Sequence, residues 1–134
     1  MSHIEKAKEL RAIVTPHYNC AQAVVIPFAQ EAGLTDEQAY NIARNFGAGM
    51  KMGSVCGGIT GGLMVLGLLG VDDPATIKAY YKHFTDHHDG LLNCKDLLAV
   101  SAKKGEVKKT HCDGMVYEAI MAVETILKEK GKIA

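Results

Sequence analysis

The sequence predicts an all-α fold, a single-domain bundle of five or six helices over residues 1–134. Three observations carry this reading. Apolar residues recur at helical spacing almost throughout, and no segment alternates polar and apolar positions between turn signals as a strand would. N-cap residues, glycines and prolines punctuate the chain where helices start and stop. At 134 residues the chain also has the size of one ordinary domain.

Residues 4–14 read as a first amphipathic helix, stopped at Thr15-Pro16 because the residue before a proline avoids helical angles. A second helix is expected from Asn19 or Cys20 to Ala32, with Pro27 kinking or breaking it and Gly33 as its left-handed cap. Thr35 and Gln38 have capping-box spacing and open a third helix that ends near Asn45. The following segment, Phe46 to Gly53, carries three glycines and reads as a loop. A fourth helix is expected from Ser54 to Gly70. Gly57, Gly58, Gly61 and Gly62 each cost it ~1 kcal/mol relative to alanine. A neighbouring helix or a ligand approaching that bare face closely would offset the loss. Asp72 or Asp73 with Pro74 starts a fifth helix that runs to Gly90. Asn93 to Asp96 can open a short further helix through Val100, and residues 103–109 read as an exposed charged loop. The last helix is expected from Thr110, with Met115, Ile120, Val123 and Ile126 or Leu127 on its buried face.

Composition narrows the function classes. Lys plus Arg and Asp plus Glu are equal at 15 each, so no net field draws the chain to nucleic acid. Residues 52–71 approach membrane-spanning length, but their glycines together with Ser54, Cys56 and Thr60 favour a buried helix over a span. Residues 1–11 lack the apolar region of a secretory signal and contain acidic residues, which implies a cytoplasmic protein. In that compartment the four cysteines are not expected to form permanent disulfides. They are ligands, redox thiols or inert core residues.

Placement favours a shared site of Cys20, Cys56, Cys94 and Cys112. Each follows a good N-cap residue by one or two positions, after Asn19, Ser54, Asn93 and Thr110, so each is expected in the first turn of a helix. There the free N–H groups and the helix dipole favour thiolate, the form that attacks disulfides and binds metals. If short loops reverse the chain between successive helices, the four helix starts gather at one end of the bundle. Cys56, at the most constrained backbone, is the expected reactive thiol, and Cys20 its resolving partner.

The motif residues Asn19-Cys20-Ala21-Gln22, Phe46-Gly47 through Met52-Gly53, Val55-Cys56-Gly57-Gly58-Ile59-Thr60-Gly61-Gly62, Asn93-Cys94-Lys95-Asp96-Leu97 and Cys112 resemble the redox-active C_GCAxxG_C_C family of small bacterial and archaeal proteins. The resemblance covers nearly the whole chain and implies a redox-active or cofactor-binding role. This chain has Gly58 where alanine is usual and no further cysteine close to Cys56, which argues against a local dithiol and makes pairing between distant cysteines more necessary.

Several chemistries remain open at this stage. The four cysteines can run thiol–disulfide exchange with a redox partner protein or a small-molecule thiol. They can equally ligate an iron–sulfur cluster or another thiolate-bound metal without turnover, although the absence of CxxC spacing weakens the usual zinc and ferredoxin patterns. Backbone amides near Ser54, Gly57 and Gly58 can hold an anionic cofactor. In a third reading the cysteines are inert and the glycine face of the fourth helix is a homodimer or partner contact. His83 and His87 have the i,i+4 spacing of a metal pair, with Asp86 and Asp89 nearby, but no third ligand is dictated by the sequence, so two surface histidines are expected. His111, beside Cys112, reads as a solvent-facing neighbour of a helix cap. Met50, Met52 and Met64 are expected to fill the core, and Tyr80 and Tyr81 to pack with their hydroxyls outward.

Overall fold

In the computed structural model, which describes residues 1–134, the chain is helical, with one isolated antiparallel bridge between Val55 and Asn93. The helices are α1 (His3–Ala12), α2 (Cys20–Val25), α3 (Asp36–Ile42), α4 (Gly57–Leu68), α5 (Pro74–His87), α6 (Cys94–Lys103) and α7 (Lys108–Glu129). The expected five or six become seven because residues 94–103 form a full 10-residue helix.

Local chemistry explains most of the boundaries. Ser2 with Glu5, Asn19 with Gln22, and Thr35 with Gln38 form reciprocal capping boxes that start α1, α2 and α3. Pro27 has no N–H to continue α2, so the α-helix ends at Val25 and passes into a tight 3-10 turn, Ile26–Phe28, well short of Ala32. Asp73 caps α5 through the Thr76 N–H, with Pro74 in the first helical position. Two expected starts move. Ser54 is extended, and α4 begins only at Gly57. Helix α7 begins at Lys108 after Val107, so the expected loop at residues 103–109 shrinks to residues 104–107.

The core is one continuous cluster in which α2, α4 and α7 pack on one another and α1 rests on α7. The glycines of α4 make this trio possible. A Cβ on Gly57 would lie 2.9 Å from the Phe46 carbonyl oxygen, and one on Gly61 3.0 Å from that of Ala21. These two glycines, one turn apart, admit α2. Gly58 and Gly62 do the same on the adjoining face: a Cβ at Gly58 would sit 3.1 Å from the Met115 carbonyl oxygen, and one at Gly62 would overlap the Tyr80 hydroxyl. Neighbours within the chain therefore fill the glycine faces, which leaves no bare surface there for a second copy. Tyr80 also departs from expectation, because its hydroxyl is buried and donates to the Ile59 carbonyl at 2.8 Å. No helix is long and apolar enough to cross a membrane.

Candidate redox site

Cys20, Cys56, Cys94 and Cys112 all line one hollow of about 660 Å³. Cys20 is the first residue of α2, locked by the Asn19–Gln22 box, and Cys94 is the first residue of α6. Cys56 is the N-cap of α4, just outside the helix. Cys112 is the fifth residue of α7, beyond the first turn in which the sequence placed it.

Three local devices shape the hollow around them. Gly57 lets the start of α4 approach that of α2 so closely that its Cβ would lie 3.2 Å from the Cys20 Cβ. Around the Val55–Asn93 bridge, the Cys56 N–H donates to the Leu92 carbonyl at 2.9 Å and the Cys94 N–H donates to the Ser54 carbonyl at 2.7 Å. This pairing ties the entry of α6 to that of α4. The third device is a turn at Gly49–Gly53, closed by the Ser54 N–H on the Gly49 carbonyl at 2.9 Å. Ala48, Gly49, Met50 and Lys51 all have φ between +52° and +62° there. For the three with side chains this costs ~1–2 kcal/mol each. Gly49 is required, because a Cβ there would run into the backbone of Ser54. The turn puts Lys51 on the wall of the hollow and leaves Met50 and Met52 exposed, outside the core they were expected to fill.

The lining is cationic. Arg11, Arg44, Lys51, Lys108 and Lys109 contribute, and no carboxylate does. Arg11 is 8% exposed, donates from Nε to Asp113 at 2.7 Å and from a terminal nitrogen to the Tyr18 carbonyl at 2.8 Å, and faces Cys20 and Cys112 electrostatically. Desolvation works against its charge, but the Asp113 hydrogen bond and the nearby sulfurs outweigh it and hold the guanidinium's pKa above its ordinary value.

These surroundings divide the thiols. The neighbouring Cys20 thiol, with Arg11 and Lys108 nearby, brings Cys112 down to about 7. The same interaction, with burial, pushes Cys20 well up. Burial raises Cys94. Cys56, 6% exposed, is pushed up to about 11 by burial, although the N–H groups of Gly58 and Ile59 pull the other way. Helix-start stabilisation of the Cys56 thiolate is thus present but smaller than the desolvation cost. The thiolate forms most readily at Cys112. Of the expected anion cradle, Gly57 lines the hollow, whereas Ser54 and Gly58 do not. His111 is half-buried on the wall, and burial lowers its pKa.

Four thiols are a soft donor set suited to zinc or iron–sulfur ligation. A closed zinc cage with ~2.3 Å bonds holds its sulfurs ~3.8 Å apart. The group of ligand-type side chains whose donor atoms lie within 4.8 Å of one another contains no cysteine; it is His83, His87 and Glu118. The cysteines therefore do not fit a preformed zinc cage. A cluster, which spreads its ligands over several metal atoms, fits the donor chemistry and the hollow.

The family described as Putative redox-active protein (C_GCAxxG_C_C) matches residues 18–126. The chain belongs to that family. No curated protein and no solved structure matches it. All four cysteines fall inside the C_GCAxxG_C_C match, while Arg11 lies upstream of it. Sequence reasoning missed Arg11 and Lys108 as site residues. The only local trace of Arg11 is a basic residue in the last turn of a helix, where the dipole favours it anyway. Its partners, Asp113 and Tyr18, are supplied by the fold.

Proposed function

We propose that this protein is a thiol–disulfide redox protein in which Cys112 attacks and Cys20 resolves. The observation that carries the reading is that Cys20 and Cys112 line the same cationic hollow, where the neighbouring Cys20 and the nearby positive charges bring Cys112 down to about 7. The Cys112 thiolate attacks one sulfur of a disulfide, forming a mixed disulfide and releasing the other half as a thiolate. Cys20 then passes its proton to a leaving thiolate and attacks the Cys112 sulfur. The second half leaves, and Cys20 and Cys112 are joined. Two electrons have moved from the protein dithiol to the substrate disulfide. A small-molecule thiol or a dithiol redox partner protein returns them by the reverse exchange. Five lysine and arginine side chains line the hollow, and Asp113 pairs with only Arg11 and Lys109 among them, so the surplus of positive charge favours an anionic substrate. This chemistry suits the reducing cytoplasmic setting expected from the sequence.

Mild oxidation followed by peptide mapping tests this. A Cys20–Cys112 disulfide in the wild type is expected, with a mixed disulfide trapped at Cys112 in Cys20→Ser and no reaction in Cys112→Ser. Reduction of a small anionic disulfide at the wild-type rate by Cys112→Ser would sink the proposal.

A second reading is favoured by the fact that all four cysteines share one hollow. Cys20, Cys56, Cys94 and Cys112 would there hold an iron–sulfur cluster, whose contribution is one-electron transfer. Iron and sulfide analysis of anaerobically purified protein distinguishes the two readings. Iron and sulfide in stoichiometric amounts, lost in Cys56→Ser, support the cluster.

A further inference from the structure

Helix α7 supplies the third ligand that the histidine pair on α5 lacks in the sequence. The His83 and His87 rings lie 4.6 Å apart by centroid, and one donor atom from each of His83, His87 and Glu118 lies within 4.8 Å of the others. His83 Nε2 is 3.1 Å from Glu118 Oε1 but is not aligned for a hydrogen bond, which leaves that buried nitrogen without a hydrogen-bond partner. Each of the other two groups has one atom committed to a neighbour. His87 Nδ1 lies 2.6 Å from the His83 carbonyl oxygen, to which it can only donate, so Nε2 carries the free lone pair in the neutral ring. Glu118 Oε2 is 2.7 Å from His88 Nε2, which commits one carboxylate oxygen and leaves Oε1 for another partner. Ligands whose second atom is held by an outer hydrogen bond are the usual arrangement around protein-bound metals.

We propose that His83, His87 and Glu118 bind a divalent transition-metal ion of the zinc class, with His88 orienting the carboxylate. Two imidazole nitrogens and a carboxylate oxygen are the donor set of an open zinc site, in which the fourth position takes water or an exogenous ligand. A hollow of about 330 Å³ adjoins this position, lined in part by His87, His88 and Glu118. The site is separate from the cysteines: Glu118 lies six residues beyond Cys112 on α7, ~9 Å along the helix axis. Leu97, His111 and Met115 form the wall shared by the two hollows.

Full-length protein, stripped with chelator and kept reduced, is titrated with Zn²⁺ by calorimetry and with Co²⁺ by optical spectroscopy. One equivalent is expected to bind both the wild type and the variant with all four cysteines changed to serine. The Co²⁺ complex should show d–d bands without thiolate charge transfer. His87→Gln and His83→Ala should lose binding, and His88→Ala should weaken it about 10- to 100-fold. Loss of binding in the cysteine-free variant, thiolate charge transfer in the wild type, or no stoichiometric uptake by the wild type would each overturn the proposal. The wild-type spectrum decides even if a histidine variant folds poorly.

Discussion

Arg11 and Asp113 meet across the α1–α7 contact, Nε to Oδ1 at 2.7 Å, and this pair holds a guanidinium beside the two sulfurs of Cys20 and Cys112. Arg11→Met keeps the bulk and removes the charge. The midpoint of Cys112 alkylation against pH should rise from about 7. Loss of one nearby positive charge moves such a group by about one unit. Stability should fall by about 1–3 kcal/mol, less than for a fully buried pair because Lys109 still pairs with Asp113. Lys109→Met is the control, since it should leave the midpoint in place. Equal shifts in both variants would show that the effect is not Arg11's.

Stability should fall in alkali through Cys56. Its folded-state pKa of about 11 lies above that of an unfolded thiol. Below the unfolded value both states are protonated and the stability contribution is complete. As pH rises from about 9 to 11 the unfolded chain loses the proton first and stability drops, by up to about 2–3 kcal/mol. Urea denaturation across that range checks this, and Cys56→Ala should flatten the decline. Cys20 and Tyr80, both raised, add in the same direction, so a residual slope is expected.

Thiol labelling should separate the cysteines at neutral pH. Cys112 is expected to react first and to follow a midpoint near 7, with Cys56 unreactive until strongly alkaline conditions or unfolding. Time-resolved alkylation read by peptide mass spectrometry measures the order. Faster labelling of Cys56 than of Cys112 would contradict the assignment.

The glycines of α4 should split into opposite classes. Gly67→Ala meets nothing within 4 Å and should stabilise by about 0.5–1 kcal/mol through helix propensity. Gly62→Ala displaces the Tyr80 hydroxyl from its buried bond to Ile59 and should cost about 2–4 kcal/mol. Tyr80→Phe in the Gly62→Ala background should recover part of that loss by removing the clashing oxygen. Thermal unfolding of the three variants tests the contrast.

The sequence by itself determined the helical class, the capping box at Thr35, the N-cap at Asn19, the starts of α2, α5 and α6, the break at Pro27, and the family. Apart from the family, whose motifs are spread along the chain, each of these rests on interactions within about four residues, where residue type and spacing act directly. It also showed that the glycines of α4 require close neighbours. Tertiary structure decided which neighbours: α2 for Gly57 and Gly61, α7 and Tyr80 for Gly58 and Gly62. It also decided the order of the thiol pKa values, because a pKa is set by desolvation and by charges that the fold brings near. Helix-start position favoured Cys56, but burial outweighed it, while Cys112 gained Cys20, Arg11 and Lys108 as neighbours. The same reason hid Glu118 from the histidine pair. Its carboxylate comes from α7, 31 residues beyond His87, and only helix packing places it against α5.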